Sequence, residues 1–192
     1  MILVGVLLGG TARAEGPLLT DDTWRVRAPG PLTVDAGLIL GLPAAFPTGM
    51  STGVGAGAML GRRLAWGIRA SWSTASESSI DWTVTRADLK LRAAVAIQHD
   101  AGRGRLALRL GLGPTIVHED RLRNQGARAG LTGSDLETTA LTALPAADLE
   151  AVVAVHVAGP WLLTMSGGPT VVVADGTLHG GWVAQLGAGW QP

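Results

Sequence analysis

Four histidines, His99, His118, His156 and His179, carry the widest chemical repertoire in this chain. An imidazole beside carboxylates can hold a metal or move a proton near neutral pH. His118 directly precedes Glu119 and Asp120, and His179 lies shortly after Asp175, so each would sit at a loop rim. No His-Glu-x-x-His element accompanies them, and Ser166 has no base beside it in sequence. His156 shares a two-residue beat with Asp148 and Glu150, which suits a structural hydrogen bond, and His99 falls in a short turn. Gly53-Val54-Gly55-Ala56-Gly57 imitates a phosphate loop, but its glycines alternate with apolar residues inside one strand-like segment and no helix follows. We expect no catalytic residue, no metal and no cofactor.

A second set of charges is spaced differently. Asp35, Arg69, Arg86, Asp88, Lys90, Arg92, Arg105, Arg109, Asp148 and Glu150 each stand between apolar neighbours, on the opposite parity to Leu, Val, Ile and Ala. A period of two belongs to β-strands, whose successive side chains leave opposite faces. The clearest case sets Leu106, Leu108, Leu110, Leu112 and Ile116 against Arg105, Ala107, Arg109, Gly111, Gly113 and Thr115. The beat recurs about eight times between Leu32 and Trp190. Trp82 and Val84 break parity with the strand that follows them, which predicts a bulge near Thr85.

The links between these segments alternate in length. Tight turns are predicted at Gly61-Arg62-Arg63, Asp100–Gly104 and Ala158-Gly159-Pro160. Longer links are predicted at Pro43–Thr52, Ser76–Asp81, His118–Thr139 and Asp175–Gly180. Trp66, Trp161 and Trp190 fall at the short-turn ends of their strands, and Trp72, Trp82 and Trp182 toward the long-loop ends. Two belts of amphipathic rings are the arrangement found beside a lipid layer.

Bulk composition agrees. The chain has 192 residues, 28 of them Gly, with 16% charged, no Cys and no Tyr. Disulfides and thiolate metal sites are therefore excluded. Fifteen basic and fifteen acidic residues cancel, which removes the net field that would draw nucleic acid. Met1–Ala14 reads as a secretory signal, with an apolar core from Ile2 to Gly10 and Ala12-Arg13-Ala14 as the cleavage pattern. Residues 15–31 form a periplasmic lead-in, and 32–192 the barrel. No later run reaches the roughly 18 apolar residues of a membrane helix.

Alternation alone fits a soluble lipocalin-like barrel with an apolar interior equally well. The second face decides between them. It is mostly Gly, Ala, Ser and Thr with charges grouped mid-strand, which suits a narrow lumen better than a wetted surface. The expected fold is all-β: an eight-stranded antiparallel up-and-down transmembrane β-barrel, its ten inward charges paired because isolated buried charges are costly.

On these strands the chain resembles the small eight-stranded outer-membrane proteins, of the OmpA transmembrane domain, OmpX and OmpW type. The last strand, Gly181 to Trp190, is similar to their C-terminal assembly signal, although Gln191-Pro192 follow the final aromatic residue. The resemblance implies residence in a Gram-negative-type outer membrane and insertion by the barrel-assembly machinery. It implies contact with membrane lipid, and Arg121, Arg123 and Arg128 in the longest loop suit either a solvated loop or lipopolysaccharide phosphates. The expected role is structural or surface-interactive, with a plugged lumen, because a general porin needs about 16 strands. The alternatives are a lipid-modifying membrane enzyme and a soluble periplasmic ligand-binding barrel. The enzyme reading is weak: His179-Gly180-Gly181-Trp182 lacks the Ser and Asn of the His-x-Ser-Asn element seen in the deacylase type.

Overall fold

The computed structural model describes residues 32–43, 49–124 and 136–192. The expected signal segment 1–14, the lead-in 15–31 and Arg128 lie outside the described residues. Eight strands follow one another: β1 (Leu32–Leu42), β2 (Ser51–Gly61), β3 (Leu64–Ser78), β4 (Trp82–Ala101), β5 (Gly104–Arg123), β6 (Glu137–Ala158), β7 (Trp161–Ala174) and β8 (Thr177–Trp190). Each pairs antiparallel with the next, and β8 returns to β1, closing the ring. Closure leaves no sheet edge within the wall of the barrel.

Parity sorts the side chains as the charges require. Leu108 and Leu186 point outward at 54% and 58% exposure, while Arg109 and Glu150 are buried inside at 5% and 8%. A soluble barrel of lipocalin type has the opposite arrangement. Water does not tolerate a contiguous apolar girdle of this size, so the outer wall is built for hydrocarbon.

Two of the strands, β1 and β2, have 11 residues each, close to what a tilted strand needs to cross a bilayer. Others are longer. β4 and β5 have 20 residues and β6 has 22. The link expected from His118 to Thr139 is shorter than its composition predicts, because β5 continues as paired strand to Arg123 and β6 begins at Glu137. Outside the lipid band both faces of these strands are polar, so the apolar alternation that marks a strand disappears while the hydrogen-bonded ladder persists.

The link pattern also differs from expectation. β7 and β8 are joined by Asp175-Gly176 alone, with φ of 51° and 72°. Positive φ at both central residues is the type I′ hairpin, for which Asp-Gly is the favoured pair. No bulge interrupts β4 near Thr85, whose partners Ser76 and Asp120 are in continuous register. Val84 instead points inward and is buried, and the register shift of the barrel lies between His156 and Ala158, beside the β6–β7 turn.

The seam between β1 and β8 depends on glycine. Gly37 and Gly187 are paired, and a Cβ on Gly187 would sit 2.0 Å from the Ala36 carbonyl oxygen. Gly187→Ala is expected to cost about 1–3 kcal/mol by overpacking this approach. Urea titration of the protein in lipid vesicles would measure it.

Candidate functional site: the polar lumen

The inward positions of the strands form three layers. Toward the short-turn end, Met59, Ala65, Ala94 and Ala96 make a buried cluster, with Ala154 and Leu162 also buried at that end. Toward the long-loop end, Ala75, Val84, Val117 and Val172 are buried on the inward face. Between these apolar layers lie most of the charges.

Most of those charges pair across strands, and Arg86 and Asp88 pair within β4. Arg69 donates from Nη1 to Asp35 at 3.0 Å and from Nη2 to Gln185 at 2.6 Å. Arg86 Nε donates to Asp88 at 2.6 Å, and Arg109 Nη2 donates to Glu150. Arg105 lies nearer the short-turn mouth, where its Nε donates to Asp100 at 2.7 Å and its Nη1 to Thr33 at 3.2 Å. Each carboxylate answers a guanidinium, so desolvation is offset by charge-assisted hydrogen bonds.

Arg92 sits at the densest point. Its Nε donates to Asp148 at 2.6 Å, and Asp148 also accepts from the Thr170 hydroxyl. Its Nη2 donates to Thr115 Oγ1 at 2.9 Å. Its Nη1 reaches the carbonyls of Pro114 at 2.6 Å, Leu91 at 3.1 Å and Gly113 at 3.2 Å. The β4–β5 ladder has no rungs at Leu91 and Arg92, opposite Pro114 and Gly113. Pro114 has no N–H to give, and it faces a second proline, Pro145, on β6. The guanidinium therefore supplies donors where the backbone cannot.

The ten inward charges read from sequence thus share one interior. Asp100, Gln185 and the hydroxyls of Thr33, Thr115, Thr170 and Ser166 join the network, although charge alternation points to none of them. Lys90 is the exception among the cations: it makes no ion pair among the described residues and lines a cavity of about 30 Å³ with Arg92, Asp148 and Glu150. That volume admits about one water. The apolar inward residues Ile39, Val84, Val117, Leu162 and Val172 are further components that a charge-based reading misses. Ile39 shares parity with Asp35, Gly37 and Gly41, and that parity is the available signal.

The rim histidines do not meet. His118 points outward on β5, its Nε2 3.2 Å from Asp120 Oδ2. His179 lies on β8 opposite Val172, on the inward parity, with β6 and β7 between them. Ser166 accepts from Arg109 at 3.4 Å rather than facing a histidine, and His156 donates its backbone N–H to the Arg103 carbonyl. Arg121 is held by Glu119 at 2.5 Å. Trp66, Trp72, Trp161, Trp182 and Trp190 are exposed on the outer wall. Trp82 is not among them: it stands on the inward parity of β4, with Arg123 stacked 4.9 Å from its ring centre.

No protein-family model matches the sequence, and no curated protein does. Solved structures are similar in fold. Neisserial surface protein A (NspA) is 11% identical, the match covering 86% of this chain and 98% of that one at a TM-score of 0.51. A major outer membrane protein from Thermus thermophilus is 12% identical, with 84% and 99% covered, also at 0.51. Eight consecutive antiparallel strands, one closed ring and an apolar outer wall around a polar interior lead to one architecture. The chain has the fold of the small eight-stranded outer-membrane β-barrels.

Proposed function

We propose that this protein resides in a Gram-negative-type outer membrane as a non-conducting barrel that holds an interaction surface outside the cell. The barrel supplies the anchor. Its interior has an ionic layer between two apolar layers and only small cavities, an arrangement that resists passage of hydrated solutes. The role in this reading is structural and interactive.

The observation that carries the surface role is the overhang of β3–β6 beyond β7 and β8. β7 ends at Ala174, and the β6–β7 register would place that residue opposite Leu144. Residues Glu137 to Ala143 of β6 consequently have a partner on the β5 side only, among the described residues. An unpaired strand edge offers a row of backbone donors and acceptors to an extended partner segment. No Lys or Pro blunts it between Glu137 and Ala143.

The concave side of this overhang holds a groove of about 500 Å³ lined by Glu77, Trp82, Val84, Glu119, Arg121 and Thr138. Lipid, lipopolysaccharide and the assembly machinery are the further partners that such a barrel would meet.

Two measurements test the reading together. The purified protein should require detergent, and its unheated band on an SDS gel should migrate differently from its boiled band. In planar bilayers it should show no porin-sized conductance. Detergent-free solubility would overturn the membrane assignment, and large stable channels would overturn the plug.

A further inference from the structure

Charge is distributed unevenly between the two ends of the barrel. At the long-loop end the described residues include Glu77, Asp81, Glu119, Asp120, Glu137 and Asp175, with Arg121 and Arg123. At the short-turn end they include Arg62, Arg63 and Arg103. The acid there, Asp100, is engaged by Arg105.

Arg62 and Arg63 make up the β2–β3 turn, and both are exposed. Neither pairs with an acid among the described residues. Arg103 lies in the β4–β5 turn, also exposed. The turns are neighbours, because the Gln98 N–H donates to the Arg63 carbonyl at 2.7 Å and extends the β3–β4 ladder to the turn itself. The remaining short turn, Gly159-Pro160, is uncharged, so the basic patch occupies one sector of the rim.

Immediately beside the patch the outer wall is apolar. Leu64 pairs with Ile97, and Trp66 stands between Leu60 and Val95 across the sheet. Leu64, Trp66 and Ile97 are among the most exposed large apolar side chains of the barrel. Cationic tips above an apolar strip match the two halves of a lipid molecule, an anionic head and its acyl chains.

We propose that the β2–β3 and β4–β5 turns form a binding site for an anionic glycerophospholipid in the leaflet at the termini end. Arg62 and Arg63 hold the phosphate, Arg103 adds to the field, and Leu64, Trp66 and Ile97 carry the chains. Guanidinium is suited to this because its planar donors engage two phosphate oxygens at once. The site rests on the membrane reading above, which supplies the lipid.

The test uses the full barrel, folded in detergent micelles containing equal phosphatidylglycerol and phosphatidylcholine, with retained lipids counted by native mass spectrometry. A basic side chain at an anionic surface is worth about fivefold in binding. The wild type should therefore retain phosphatidylglycerol over phosphatidylcholine by roughly tenfold or more. R62Q/R63Q should reduce that preference to within about twofold, whereas R121Q, the same kind of charge loss at the opposite rim, should leave it unchanged.

Millimolar inorganic phosphate should not displace the lipid. Equal retention of the two lipids by the wild type would overturn the site, as would an equal effect of R121Q. Displacement by free phosphate would overturn the lipid as its occupant. Failure to retain either lipid, together with loss of the heat-dependent gel shift, would instead overturn the membrane reading.

Discussion

Replacing Arg92 by Met is expected to destabilise the folded barrel by about 3–5 kcal/mol, the range for removing one member of a buried ion pair. Asp148 would keep the Thr170 hydroxyl but lose its cation, in a site from which water is nearly excluded. The carbonyls of Leu91, Gly113 and Pro114 would lose a donor at the point where the β4–β5 ladder is already interrupted. Equilibrium unfolding in urea, followed by Trp fluorescence in lipid vesicles, measures the difference. The double variant R92M/D148L removes the stranded carboxylate and should recover the part of the loss due to it, leaving the cost of the three carbonyls that Arg92 served. If R92M alone unfolds no more easily than wild type, the interior is wet enough to hydrate Asp148, and the layered plug is wrong.

Leu186→Arg should have an effect of similar order for an opposite reason. Leu186 lies midway along β8 between Trp182 and Trp190, with its side chain on the outer wall. In a bilayer this position is near the hydrocarbon midplane, where an arginine costs about 2–4 kcal/mol. On a barrel surrounded by water the same exposed substitution would cost close to nothing. The same urea titration therefore discriminates the two environments with one side chain. Leu178→Arg provides the contrast: Leu178 is equally outward but next to the β7–β8 hairpin, beyond the Trp182 level. Its cost should fall to about 0–1 kcal/mol.

The barrel is legible in the sequence wherever the two faces of a strand differ in chemistry. Leu106 to Ile116 against Arg105 to Thr115 specifies both a strand and its orientation, since lipid and lumen select opposite residue types. Legibility fails where that contrast vanishes. Thr138, Thr139, Asp120 and Arg121 are polar on both sides of the sheet, so the segments around them read as loop although they remain paired. Val84 misleads in the other direction. An apolar residue on the inward parity reads as a defect in the strand, when it belongs to an apolar layer that seals the charges.

The ion pairs are legible as a group but not as partners. Alternation says which side chains share an interior, while pairing depends on the stagger between strands distant in sequence. Arg69 with Asp35 and Gln185, or Arg92 with Asp148, become neighbours only once the ring has closed. Asp100 is hidden because it stands at a turn, where parity no longer assigns a face. Asp-Gly at 175–176 is a readable hairpin signal, obscured by the expectation that every link on that side is long.

Joining β8 to β1 has a consequence for folding. The outer flank of β1 finds its mate only in β8, so the ring cannot be completed by pairing of sequence neighbours alone. Every chain that stops short of β8 is left with two raw flanks in place of one seam. Completion of the ring therefore depends on the fourteen-residue β8, the partner of β1 at the greatest sequence separation.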